Sequence, residues 1–321
     1  MNWFGLETTR CAPDGLYQIN LDSGMAQIAK FGFNAVRFPF SSECLEKTTP
    51  SGGIDATKNP GLVGKTPLQL MDSFVASARA NGLRVILDRH RPDSAAQSEL
   101  WYTAAYPEKT WIADWVMLAR RYAAEPAVIG ADLQNEPHGS ACWGCKVASR
   151  DWAAAATRAG DAIGAVDQHL LIIVEGVEQT AKGTFAQWGG ALEDVAAHPL
   201  TLKIPHQLVY SAHDYPSSVN SHPWFSAANY PANMPGVWDR NFGFIQKRGT
   251  APVLLGEFGT QLETTSDKQW LTAMVSYLKT SGIGFAYWSF NPDSGQTGGI
   301  VQDDWTTPQT AKLAALEPLL G

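Results

Sequence analysis

Eight short apolar runs, separated by stretches of helical period, constrain the fold of this chain more than any other feature. The runs are Asn2–Gly5, Asn34–Pro39, Arg84–Asp88, Val128–Gln134, Leu170–Val174, Leu208–Ala212, Val253–Glu257 and Gly284–Ser289. Helical periodicity lies at Ser23–Phe31, Pro67–Asn81, Glu108–Ala123, Asp151–Val166, Trp238–Arg248, Asp267–Ser281 and Pro308–Leu319. Near-continuous apolar runs suit strands covered on both faces, and regular strand–helix alternation makes such strands parallel. Eight βα units in 321 residues predict an α/β fold, a single (β/α)8 TIM barrel over residues 1–321 with its first strand cut short. The competing fold, a doubly wound open sheet, would favour a glycine-rich phosphate loop after an early strand, and the sequence has none. No Pro/Ser/Gly-rich linker or solenoid repeat divides the chain.

Charge and cysteine content narrow the partners. A net charge of −7 without a basic stripe argues against nucleic acid and is compatible with a neutral polymer. No apolar run approaches the roughly 20 residues that cross a bilayer, so no membrane partner is expected. The chain opens on Met1-Asn2-Trp3, already inside a strand-like run and with no signal-peptide pattern, so residues upstream are expected to have been removed. Four cysteines are compatible with export. Cys142 and Cys145 form a lone C-x-x-C in a loop. A zinc site would need a second such pair, and a redox motif would open a helix after a strand. A small disulfide is favoured there, and Cys11 with Cys44 is the candidate second bridge.

A parallel barrel gathers its functional side chains at the carboxyl ends of its strands. The residues that follow apolar runs here are Arg37, His90, Asn135, Glu136, His213, Tyr215, Glu257 and Trp288. A carboxylate at the end of a buried strand is costly to desolvate and needs partners or a role. Glu136 and Glu257 would fall on the fourth and seventh strands and face each other across the mouth. Hydrolysis of a glycosidic bond needs such a pair, one acid to protonate the leaving oxygen and one carboxylate to attack, about 5 Å apart in the retaining geometry. Twelve tryptophans add to that reading, since indoles stack on sugar faces; roughly half are assigned to the core and the rest to a cleft. Glu257 would be the ionised nucleophile, helped by Arg37 and Tyr215, and Glu136 the acid/base with a pKa raised by burial and negative charge.

Other residues are read as structural. Glu175 also ends an apolar run but lacks a preceding Asn, and is read as a rim residue. Asp88 and Asp132 are read as buried partners, Asp214 is open to either orientation, and His206 and His222 are read as solvated turn residues. Gly64-Lys65-Thr66 lacks the earlier glycine of a phosphate loop, and no Gly-x-Ser-x-Gly elbow supports an esterase.

Asn-Glu-Pro (135–137), Gly-Glu-Phe-Gly (256–259), Val-Arg-Phe-Pro (36–39), Leu-Asp-Arg-His-Arg-Pro-Asp (87–93), His-Asp-Tyr (213–215) and Tyr-Trp-Ser-Phe-Asn-Pro-Asp-Ser-Gly (287–295) span the chain. This set resembles glycoside hydrolase family 5, in particular its secreted bacterial endo-β-1,4-glucanases. The resemblance implies Glu136 as acid/base and Glu257 as nucleophile, with Arg37 and Tyr215 bonding the nucleophile. It further implies that Asn135 contacts the sugar 2-hydroxyl, His90 donates in the subsite under attack, His213 lies near the acid/base and Trp288 is that subsite's platform. Tyr17, Trp188 and Trp224 are weaker candidates for stacking, and close relatives carry Trp where Tyr17 falls. Those relatives also bridge the first loop to the Arg-Pro-Asp loop by a disulfide; the matching positions here are Thr9 and Ser94, which fits a swap to Cys11–Cys44. The expected activity is retaining endo-β-1,4-glucanase on cellulose or a related β-glucan, with no metal or organic cofactor, in a secreted monomer. Mannan, xylan or mixed-linkage glucan is the alternative substrate, and a non-catalytic carbohydrate-binding barrel the rival class.

Overall fold

The computed structural model describes residues 1–320. Among them, one parallel sheet runs in sequence order through β1 (Ala35–Ser41), β2 (Arg84–Arg91), β3 (Val128–Asp132), β4 (Leu171–Glu175), β5 (Leu208–His213), β6 (Val253–Phe258) and β7 (Gly284–Tyr287). Residues 2–6 fill the gap between β7 and β1. Asn2 and Leu6 bridge Arg37 and Phe40 in parallel, and the Asn2 N–H donates to the Tyr287 carbonyl at 2.8 Å. The expected first strand is therefore two separate bridges, not a continuous ladder. Gly5, at φ 134°, turns the chain so that the Phe4 carbonyl accepts from Asp14 N–H at 3.0 Å. The sheet closes into the expected TIM barrel.

Helices pack outside where the periodicity placed them, and local chemistry fixes their ends. Asn20, Thr66, Asp151 and Thr264 cap Leu21–Lys30, Pro67–Ala80, Trp152–Gly164 and Thr265–Ser281, each accepting from a first-turn N–H. The stretch expected as one helix over Trp238–Arg248 is instead Met234–Trp238, a π turn at Asp239–Gly243 and Phe244–Lys247. The Tyr277 hydroxyl intrudes there: it donates to Asp239 Oδ1 at 2.8 Å, and a Cβ at position 243 would lie 1.8 Å from it. The last helix ends at Leu316 and tightens to a 3-10 turn over Glu317–Leu319, where Pro318 offers no amide to continue it.

The division of tryptophans is more lopsided than expected. Trp3, Trp101, Trp111, Trp115, Trp143, Trp152, Trp238, Trp270 and Trp305 are all buried, leaving Trp188, Trp224 and Trp288. The reason is polar as much as apolar. Trp111 and Trp115 both donate to the Leu133 carbonyl, at 2.8 and 3.1 Å, and Trp152 to the Glu175 carbonyl at 2.8 Å. Indole N–H groups thus satisfy carbonyls where β3 and β4 end and ladder partners run out.

Cys11 and Cys44 are bridged, with Cα atoms 5.2 Å apart, and so are Cys142 and Cys145, at 6.0 Å. The first bridge ties the loop after residues 2–6 to the short helix Ser42–Glu46 behind β1. In that helix Glu43 accepts from Ser94 N–H at 2.7 Å, which links the Arg-Pro-Asp loop to the same helix without sulfur. Among the described residues no helix is long and apolar enough to cross a membrane.

Candidate active site

The carboxyl ends of the strands converge on Glu136 and Glu257. Glu257 sits inside β6, and Glu136 lies four residues beyond the end of β3. One carboxylate oxygen of each, with a ring nitrogen of His213, lie within 4.8 Å of one another. Glu257 is held from two sides: Arg37 Nη1 donates to Oε1 at 2.6 Å and the Tyr215 hydroxyl to Oε2 at 2.7 Å. Glu136 is more open, its side chain 18% exposed against 5% for Glu257. Its Oε1 lies 3.0 Å from His213 Nδ1.

These environments push the two carboxyls apart. Burial alone would raise the Glu257 pKa, but the charges of His213, Arg37 and His90 and the Tyr215 hydrogen bond outweigh it and hold Glu257 below the usual range. Burial raises Glu136, and the negative charges of Glu257 and Glu175 add to it against the His213 contact. Burial opposes charge on His213 too. There Glu175, Glu257 and Glu136 prevail, and the imidazole pKa stands well above its usual value. The arrangement therefore offers one ionised carboxylate and, beside it, one that keeps its proton longer.

Arg37 organises the floor. Its fully buried guanidinium lies 2.8 Å from Asp132, 3.1 Å from Glu175, 3.2 Å from Asp88 and 2.6 Å from Glu257. It also donates to Asn2 Oδ1 at 3.1 Å and to Asn135 Oδ1 at 3.0 Å. With its oxygen engaged by Arg37, the Asn135 side chain keeps its amide nitrogen as a donor. Asp88 and Asp132 are the buried partners expected of them. His90 Nδ1 lies 2.6 Å from Asp88 Oδ2, and its ring lies near-parallel to Trp288 at 5.6 Å. Acidic and imidazole groups cluster tightly enough to ligate a cation at Asp88–His90–Glu257 and Asp88–Asp132–Glu175. Arg37 already pairs with the carboxylates of both clusters.

Glu175 is not the rim residue expected. It is fully buried, its Oε2 accepts from the Glu136 backbone N–H at 2.7 Å and its Oε1 pairs with Arg37. Glu136, at φ 48°, lies beyond the β3 ladder, so its amide finds its acceptor in this side chain. The pattern "strand, then Glu" flagged Glu175; no sequence signal showed that it faces inward. Asp214, adjacent to His213, points away from the cleft and accepts from Trp238 and Trp270 N–H at 3.0 and 2.8 Å.

The aromatic candidates differ in setting. Trp288 is half-buried, flanked by Phe4 and His90, and donates to Ser294 Oγ at 3.1 Å. Trp188 is 40% exposed and lines a cleft of about 350 Å³ with Glu136, Glu178, Gln187 and Tyr215; Glu178 and Gln187 were not singled out from sequence. Trp224 stacks on His222 at 4.2 Å in a 3-10 turn outside that cleft's lining. His222 is accordingly packed and not a solvated turn. Tyr17 is 40% exposed and carries the Arg10 guanidinium 5.0 Å above its ring.

Comparison with known proteins gives one consistent answer. The profile of the family Cellulase (glycosyl hydrolase family 5) matches residues 1–294. An endoglucanase of Paenibacillus polymyxa is 48% identical over 96% of this chain and 78% of its own length. The major extracellular endoglucanase of Xanthomonas campestris is 43% identical over 100% of this chain and 67% of its own. The solved catalytic domain of that Xanthomonas enzyme superposes with a TM-score of 0.94, covering 100% and 93% of the two chains at 43% identity. An endocellulase of Pyrococcus horikoshii, solved with cellotetraose, superposes at a TM-score of 0.94 with 38% identity over 100% and 91%.

Proposed function

The chain belongs to glycosyl hydrolase family 5, and from that premise we propose a full assignment of its chemistry. It is a retaining endo-β-1,4-glucanase that hydrolyses internal bonds of cellulose or related β-glucans through a covalent glycosyl-enzyme. The observation that supports the reading most is the spacing of Glu136 and Glu257, with oxygens within 4.8 Å. That is closer than the roughly 6.5–9.5 Å at which inverting enzymes hold their carboxyls, and it fits the retaining geometry.

Glu257, kept ionised, is assigned the nucleophile and attacks the anomeric carbon. Glu136, whose pKa is raised by burial and by the charges of Glu257 and Glu175, is assigned the acid that donates to the departing glycosidic oxygen. Once the sugar is esterified the Glu257 charge is gone, so the Glu136 pKa falls and it can take a proton from the incoming water. Arg37 and Tyr215 stabilise the nucleophile, and His213 orients Glu136. The Asn135 amide is assigned to the 2-hydroxyl, whose bond strengthens in the transition state. His90 and Trp288 are assigned to the subsite under attack, Trp188 to the leaving-group side, and Trp224 and Tyr17 to outer subsites. We further infer one catalytic barrel domain over residues 1–321, acting as a secreted monomer. The word "extracellular" in the name of the Xanthomonas relative supports the secretion.

Replacement of either glutamate by alanine tests the roles. Glu136→Ala should lower turnover of cellotetraose by about 10²–10⁴-fold, and Glu257→Ala by at least as much, with both variants folded. Azide should rescue Glu136→Ala to give a β-glycosyl azide and Glu257→Ala to give the α anomer. The opposite stereochemistry would exchange the two roles.

A further inference from the structure

We propose that His138 is a positioning residue that holds the backbone of Glu136 and the ring of Trp188 as one unit. The proposal rests on the assignment of Glu136 as acid/base. Glu136 lies in the left-handed region, at φ 48°. A non-glycine residue persists there, at a cost of about 1–3 kcal/mol, only where its surroundings fix it. Two contacts fix the backbone of this residue, one on each of its flanking peptides. Glu175 accepts its N–H at 2.7 Å, and His138 Nδ1 lies 2.7 Å from its carbonyl. A carbonyl can only accept, so His138 carries its proton on Nδ1 and donates.

The same imidazole lies flat against Trp188, with ring centroids 3.8 Å apart and planes within 8°. One indole face is thereby covered. The ring remains 40% exposed beside Glu136 and Tyr215. Glu178 adds a second tie: its Oε1 accepts from Trp188 Nε1 at 3.1 Å and its Oε2 from Gly139 N–H at 2.9 Å. The indole is therefore joined twice to the segment 136–139. A glucosyl unit on the free face of Trp188 leans, through the indole, on the His138 ring that holds the backbone of the proton donor. Placement of the leaving sugar and aim of the acid share one support. Proton transfer depends steeply on such aim, since small misplacements cost large factors in rate.

The test is how kcat/KM depends on the leaving group in aryl β-cellobiosides, from 2,4-dinitrophenol, which departs without a proton, to phenol, which needs one. This constant reports steps up to glycosylation. Glu136→Gln is the control and should steepen the dependence. His138→Phe keeps a flat ring against Trp188 but cannot donate. It should steepen the dependence as well, losing about ten-fold or more on phenyl cellobioside and less than about three-fold on the dinitrophenyl compound. His138→Asn places an amide N–H where Nδ1 stood but has no ring. It should keep the wild-type slope and raise KM for cellotetraose. A merely structural role for His138 would lower every substrate equally and leave the slope unchanged. If Glu136→Gln steepens the slope and His138→Phe does not, the proposal is overturned; a steep slope in His138→Asn overturns it as well. If Glu136→Gln itself leaves the slope flat, the acid/base assignment fails first. Should His138→Phe not fold, His138→Ala reads the same slope under the same criterion.

Discussion

Arg37 faces four carboxylates with a single charge, and the residue scale shows what that does to chemistry. Asp132 lies well above its ordinary pKa, through burial and the charges of Glu175 and Asp88, despite its contact with Arg37. Glu257 is kept below its ordinary value against its burial, because His213, His90 and Tyr215 face it together with Arg37. The activity profile should follow from this split. Activity is lost on the acid side as Glu257 protonates, below the ordinary glutamate value of about 4.3, and on the alkaline side as Glu136 deprotonates, above it. The Tyr215 hydroxyl lowers Glu257, so Tyr215→Phe raises it. The acid limb of kcat/KM should move to higher pH and the plateau fall by about ten-fold, the worth of a charge-assisted hydrogen bond. An acid limb that stays in place in Tyr215→Phe would show that the hydroxyl does not tune Glu257. Much of this site was legible, because an Arg, His or Glu on a buried strand is expensive unless the residue has partners or work to do. Glu175 was misjudged because strand-end position is visible in sequence while inward direction is not. Glu178 and His138 sit in loops whose path only the folded chain defines.

At the scale of elements, Asp214 fastens the end of β5 to the outer helices, since Trp238 and Trp270 both donate to it. Burial raises its pKa to about 7 against these bonds. The folded state thus binds this proton more tightly than the unfolded chain, whose aspartates titrate near 3.9. Stability should fall as pH rises from about 4 to about 7, by at most about 4 kcal/mol, and then level off. Asp214→Asn keeps an oxygen for the two indoles and does not titrate. Its unfolding free energy should be less pH-dependent than that of the wild type, with the gap widening from pH 4 to pH 8 in urea titrations. Parallel curves would show that the carboxyl stays ionised in the fold. The elements themselves were largely readable, because short near-continuous apolar runs and the 3.6-residue helical period leave different apolar patterns. What could not be read were departures caused by distant side chains. The π turn at Asp239–Gly243 answers to Tyr277, and the split first strand to the turn at Gly5 and the Phe4–Asp14 bond.

Across the whole molecule, the barrel is closed at its weakest point by its own amino-terminal residues. Residues 2–6 supply isolated bridges where the other strands have ladders. The Asn2 amide reinforces that seam, donating to the carbonyls of Gly256 and Ala286 at 3.0 Å each while its oxygen accepts from Arg37 at 3.1 Å. The seam therefore touches the residue that holds Glu257. The Cys11–Cys44 bridge lies just beyond it, with a sequence separation of 33 that encloses the helix Leu21–Lys30 and β1. Cross-linking a loop of that length should remove about 4 kcal/mol of chain entropy from the unfolded state, against about 2 kcal/mol for the short Cys142–Cys145 loop. That short loop is already held by Asp151, which accepts from Gly144 and Lys146 N–H at 3.0 and 2.8 Å. Replacing Cys11 and Cys44 together by serine should thus cost about twice the stability lost on replacing Cys142 and Cys145, measured by urea unfolding. A loosened seam also shifts Arg37 relative to Glu257, so the first double variant should lose activity on warming before its far-UV signal changes. If the short bridge costs more stability than the long one, closure at the amino terminus is not what the disulfide secures.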